Sequence, residues 1–166
     1  MATSFSRLLL ATEHGEFDAG AESLAWALAR RCGLPLAAVL PLVSNPEFEA
    51  VAPLQAAQAD AAASARGDDL QAQAMAQGVS LNLVFRRGPE LHEEIVEEAA
   101  SQGSDLIVIR RRGKRGLLAQ LLIGEMVSKV VAHAPCSVLD GQPCTPSFCS
   151  VFNDGPCIPE IDYPYG

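Results

Sequence analysis

The stretch RRRGKRG, Arg110 to Gly116, has the residue types that hold phosphate. Arg110, Arg111, Arg112, Lys114 and Arg115 surround Gly113 and Gly116. Guanidinium forks match phosphate oxygens two at a time, and glycine lets the backbone approach an anion closely. The stretch follows an apolar run, DLIVI, and precedes an amphipathic segment that contains Gly124 and Glu125. A turn that leads from a strand into a helix N-terminus favours anions. Three readings are open. The cations form a solvated face, paired with Glu13, Glu16, Glu125 or the acids of a second subunit. Alternatively they line a phosphate or nucleotide pocket, or they touch nucleic acid. The solvated, ion-paired face is the expected reading. The nucleic-acid reading lacks interleaved aromatic residues, and the net charge of −8 opposes it.

The other chemistry-bearing side chains give less. His14 lies between two strand- and helix-like segments and is expected to be solvated there. His92 falls in an acid-rich helical stretch, where surface pairs are expected. His133, in the sequence HAPC, is placed to hydrogen-bond nearby backbone. The three are not spaced as metal ligands on one element. No G-x-S-x-G elbow or readable Ser-His-Asp or Cys-His set is present, so no catalytic centre is expected. Cys32 and Cys136 read as small buried hydrophobes. Cys144, Cys149 and Cys157 follow a C-x4-C-x7-C spacing with no accompanying histidine, which fits no zinc pattern.

The elements that must position these residues are legible from periodicity. SRLLLAT (6–12), LPLAAVLPLV (34–43) and DLIVIR (105–110) are continuous apolar runs, the pattern of parallel strands covered on both faces. VSLNLVFRRG (79–88) alternates, with Val79, Leu81, Leu83 and Phe85 on one side, and reads as an edge strand. CSVLD (136–140) is a short last strand. Between them, 18–33 reads as a helix with Leu24, Leu28 and Cys32 on one stripe and Gly33 as its stop. The Ala- and Gln-rich segment 47–77 reads as helix, with Pro53 at a first turn or kink and Gly67 as a weak point. Leu91, Ile95 and Ala99 mark a helix over 89–103, and 117–134 is helical up to Pro135. This alternation predicts an α/β fold: an open, doubly wound parallel sheet of five strands with helices on both faces. Ligands of such sheets sit beyond the strands' carboxyl ends, where strand order reverses. That singles out the loops Thr12–Asp18 and Arg110–Gly116.

At 166 residues with 49% hydrophobic content, the chain has one domain's worth of core material. Its apolar runs are far shorter than a membrane span of about 20 residues. No secretory signal is legible at the start, so a cytoplasmic location without membrane contact is expected. Residues 1–140 form the expected domain. From Gly141 onward prolines crowd the chain at Pro143, Pro146, Pro156, Pro159 and Pro164. That density blocks helix and central strand alike, so 141–166 reads as an irregular tail.

From Ser6 to Leu139 the chain resembles the universal stress protein (UspA-like) family. The resemblance rests on LLLATEH, the late GSDLIVI strand, the glycine turn behind it, and LLIGEMVSKVVAHAPCSVL. It implies strand order 3-2-1-4-5 and a homodimer that uses the last strand, here shortened. Nucleotide-binding members carry G-x2-G-x9-G-(S/T), and an Asp near the end of the first strand. Here Glu13 stands in the Asp position, next to Thr12. If Gly113 is the second glycine, the first position is Arg110 and ten residues separate Gly113 from Gly124. If Gly113 and Gly116 are the pair, seven residues separate Gly116 from Gly124. Glu125 replaces the hydroxyl residue, and a carboxylate repels phosphate where a hydroxyl donates to it. The resemblance with this degenerate motif implies a non-catalytic stress-response or regulatory protein. It would act through dimerisation and protein partners, with no cofactor and no nucleic acid. The alternative is a member that binds ATP or AMP with Mg2+, a nucleotide sensor with slow hydrolysis at most. Its tentative anion site would comprise Thr12, Glu13, Arg110, Arg111, Arg112, Gly113, Gly116, Gly124 and Glu125. The HIGH-type and PP-loop signatures of adenine-nucleotide α-hydrolases are absent.

Overall fold

The computed structural model of the chain describes residues 5–15, 18–110 and 126–141. Its elements run β1 (Leu8–Ala11), α1 (Ala19–Cys32), β2 (Leu36–Val43), α2 (Pro46–Val51), α3 (Pro53–Ala76), β3 (Leu81–Gly88), α4 (Leu91–Gln102), β4 (Leu106–Arg110) and β5 (Ser137–Gly141). Residues 126–133 are also helical. The five strands form one sheet in the order β3-β2-β1-β4-β5. All four pairings are parallel, with Leu8 of β1 opposite Leu36 on one side and Leu106 on the other.

The apolar runs divide between two cores because strand side chains alternate. Leu8, Leu10, Leu36, Ala38, Leu40, Leu106 and Val108 face α1 and α3, where they meet Trp26, Ala29, Leu70 and Ala74. Leu9, Ala11, Val39, Ile107 and Ile109 face the opposite layer, where they meet Ile95 and Ala99 of α4 and Val130. Every residue of β1 is buried, as a central strand covered on both faces requires. A leucine buried this way contributes about 1.5–3 kcal/mol, so the sheet centre is the most strongly stabilised part of the fold.

Several local expectations are corrected. The 47–77 helix is two helices. Pro53 starts α3 at a position where its missing N–H costs nothing, and α2 is capped by Asn45, whose side chain accepts from the Phe48 N–H at 3.1 Å. Gly67 does not weaken α3. It is buried, and a Cβ there would lie 2.5 Å from the Phe85 ring and 3.0 Å from Leu83, so the missing side chain lets α3 approach β3. Cys32 is exposed and Cys136 half-buried, because α1 turns Ala21, Ala25, Trp26 and Ala29 to the sheet and leaves its last turn outside. β5 continues through Gly141, one residue into the segment read as tail. A Cβ on Gly141 would lie 2.4 Å from the Cα of Ala21, so only glycine allows α1 to cross there. The rest of the expected tail, 142–166, lies outside the described residues. Among the described residues no helix is long and apolar enough to cross a membrane.

Candidate functional site

β1 lies between β2 and β4, and the chain crosses from one side of it to the other on reaching β4. The carboxyl ends of β1 and β4 therefore flank the crevice where such folds place ligands. Thr12, Glu13 and His14 leave β1 there, Asp18 opens α1, and Arg110 ends β4.

Arg110 reaches into this crevice. Its side chain is 10% exposed, its Nη2 donates to Glu13 Oε2 at 3.0 Å, and its Nε lies 3.6 Å from Asp18 Oδ1. Among the described residues a space of about 10 Å3 lies between Thr12, Glu13, Asp18, Ile109, Arg110 and Met126. The pairing with Glu13 was one of those expected from sequence. Asp18 was missed, although an Asp before a helix is a common capping residue. It does not cap. Its carboxylate accepts from the Gly15 N–H at 2.8 Å and faces Arg110. Burial pushes the Asp18 carboxyl above its ordinary value, and the Gly15 N–H and Arg110 only partly offset that push.

A second network adjoins the first. The Thr12 hydroxyl donates to Glu22 Oε1 at 2.8 Å and accepts from the His14 backbone N–H at 2.8 Å. His14 is not solvated as expected; its side chain is 11% exposed. Nδ1 lies 2.8 Å from Glu22 Oε1 on α1, and Nε2 lies 2.9 Å from Asp69 Oδ2 on α3. Two carboxylate partners require both ring nitrogens to donate, so the arrangement is that of an imidazolium. Burial lowers the His14 pKa, the hydrogen bonds to Asp69 and Glu22 raise it, and the net displacement is upward. The ring reaches both helices because His14 sits at φ 53°, in the left-handed region that asparagine, aspartate and histidine visit more than most residues.

Of the other sequence candidates, Arg111, Arg112, Gly113, Gly116, Gly124 and Glu125 lie outside the described residues. His133 Nδ1 lies 2.8 Å from the Lys129 carbonyl, the backbone contact expected of it. His92 lies 3.4 Å from Glu90 and packs its ring 6.0 Å from that of His133. Among the described residues no three His, Cys, Asp or Glu side chains are grouped to hold a metal ion.

A five-stranded 3-2-1-4-5 sheet with its crevice at the β1–β4 switch defines an open, doubly wound α/β protein. The model of the universal stress protein family matches residues 4–139, and the chain belongs to that family. Solved structures of similar fold include universal stress protein UspA from Lactobacillus plantarum, at 22% identity over 84% of this chain and 99% of that chain, with a TM-score of 0.64. A universal stress protein in complex with cAMP matches at 15% identity, covering 84% and 98% of the two chains, with a TM-score of 0.62. The universal stress protein from Archaeoglobus fulgidus in complex with dAMP matches at 15% identity, 84% and 98% coverage, and a TM-score of 0.60. At these identities the likeness is one of fold. No curated protein sequence matches the chain.

Proposed function

We propose that this chain is a non-catalytic universal stress protein whose nucleotide crevice is closed by its own Arg110, and that it acts as a homodimer through contacts with protein partners. The observation that carries this reading is the position of the Arg110 guanidinium, buried between Glu13 and Asp18 in the crevice. A nucleotide needs a cavity of hundreds of cubic ångströms, and the space beside Arg110 among the described residues is about 10 Å3. The sequence supports the same reading. Arg110 stands where one register of the family motif has its first glycine, the glycine spacing fits neither register, and Glu125 puts a carboxylate where a hydroxyl would meet phosphate. The absence of chemistry has support in the second network. Thr12 is 2% exposed and both His14 nitrogens are taken up by carboxylates, so neither group is open to a substrate.

A second reading, an adenine-nucleotide sensor, is favoured by the cAMP and dAMP complexes of two proteins of this fold. It requires Arg110 to leave Glu13 and Asp18 and turn to a phosphate. Mass spectrometry of gently purified protein separates the two. The proposal expects no stoichiometric ATP, ADP, AMP or cAMP, and a stoichiometric nucleotide would establish the sensor instead.

A further inference from the structure

A larger cavity lies away from the crevice, between the N-terminal half of α3, α2, and the carboxyl ends of β2 and β3. Its origin is visible in the sequence of α3. The buried residues of α3 are Ala63, Gly67, Leu70 and Ala74, all beyond its tenth residue. The first ten residues of the helix bury nothing, and the alanines on the cavity side, Ala56 and Ala59, are too short to fill the gap beneath. α2, which also buries nothing, closes one side with Phe48. The resulting space is about 400 Å3, within the range of small-molecule sites.

The lining has an apolar part and a charged part. Val43, Phe48, Ala56 and Ala59 supply apolar wall, with Val43 60% and Phe48 52% exposed. Four charged residues join them. Arg87 is ion-paired with Asp60, and Glu49 Oε1 accepts from the Ser44 hydroxyl and the Asn45 N–H. That leaves Arg66. Its half-buried side chain lines the cavity, and its guanidinium has no hydrogen bond or ion pair among the described residues. A half-buried guanidinium without a counter-charge favours an anion, and a carboxylate matches its fork.

We propose that this cavity is a second ligand site, for a small amphiphilic organic carboxylate. The carboxylate pairs with Arg66, and the apolar body lies against Phe48, Val43, Ala56 and Ala59. Of the two acids in the lining, Asp60 is neutralised by Arg87, and Glu49 is held by the Ser44 hydroxyl and the Asn45 N–H. The site is independent of the β1–β4 crevice and of any nucleotide.

The test is titration of the full chain with sodium octanoate and, as the uncharged control, octan-1-ol. Calorimetry gives the affinity and amide chemical shifts give the location. Octanoate is expected to bind saturably and at least about tenfold more tightly than octanol, the factor one charge-assisted pair supplies. The amides that shift are expected to cluster at Val43, Phe48, Ala59 and Arg66. Arg66→Met is expected to remove the preference for octanoate over octanol, and Ala59→Phe to abolish binding of both. No saturable binding to the wild-type chain, equal affinity for the two probes, or shifts centred elsewhere would overturn the proposal. The wild-type measurements decide the matter even if a variant fails to fold.

Discussion

His14 illustrates how much a single side chain can hide from sequence. Its partners come from α1 and α3, 8 and 55 residues away, and its reach depends on a left-handed backbone that no local pattern announced. The nearest signal is the His-Gly pair in a short loop. By contrast the Arg110–Glu13 pair was legible, because a cation ending one central strand and an acid ending its neighbour must meet in a parallel sheet. The His14 clamp gives a pH-dependent stability. A folded-state pKa raised above 6.5 means that the clamp contributes fully below that value and is lost as pH rises through the folded-state value. His14→Ala is therefore expected to cost about 1–2 kcal/mol at pH 6, discounted for the exposure of Asp69, and clearly less at pH 9. Urea denaturation of both proteins at the two pH values checks this. The backbone strain at φ 53° is common to both conditions, so equal losses at pH 6 and pH 9 would contradict the clamp.

At the scale of elements, periodicity located all five strands, because each apolar run must alternate between two cores. What it could not place were features set by neighbours in space. Gly141 looked like the start of a tail because its role lies in α1, whose Ala21 passes directly over it. Gly141→Ala puts a methyl against backbone that cannot step aside. It is expected to cost about 1–3 kcal/mol and to lower the thermal midpoint by several degrees. A melt unchanged within error would show that α1 has room there. Glu98 is a similar case. On sequence it is one acid among many in α4, yet its side chain is only 4% exposed, and it accepts from Arg86 Nε on β3 at 2.6 Å. Glu98→Ala leaves a guanidinium and the Gln102 amide without their acceptor. The expected loss is about 3 kcal/mol in denaturant unfolding, near the low end for a broken buried pair because Arg86 is partly solvated. A loss within the usual surface range of about 0.5 kcal/mol would show that Arg86 repairs itself with Glu97.

For the whole molecule, a family fold carries a crevice that Arg110 enters from within, and the function proposed for it is association. β5 has five residues and is an edge strand of the sheet among the described residues. A homodimer is therefore expected, and light scattering at micromolar concentration should return twice the chain mass; a monomer mass throughout would move the functional surface elsewhere. The central claim is that Arg110, held by Glu13 and Asp18, occupies the place of a nucleotide. Calorimetric titration of the wild-type chain with ATP and magnesium at physiological salt tests it most directly. The account predicts no saturable heat, or a dissociation constant weaker than about 10 μM, near −7 kcal/mol. Saturable binding tighter than that would contradict it, because it would mean that Arg110 gives up both carboxylates to serve a phosphate.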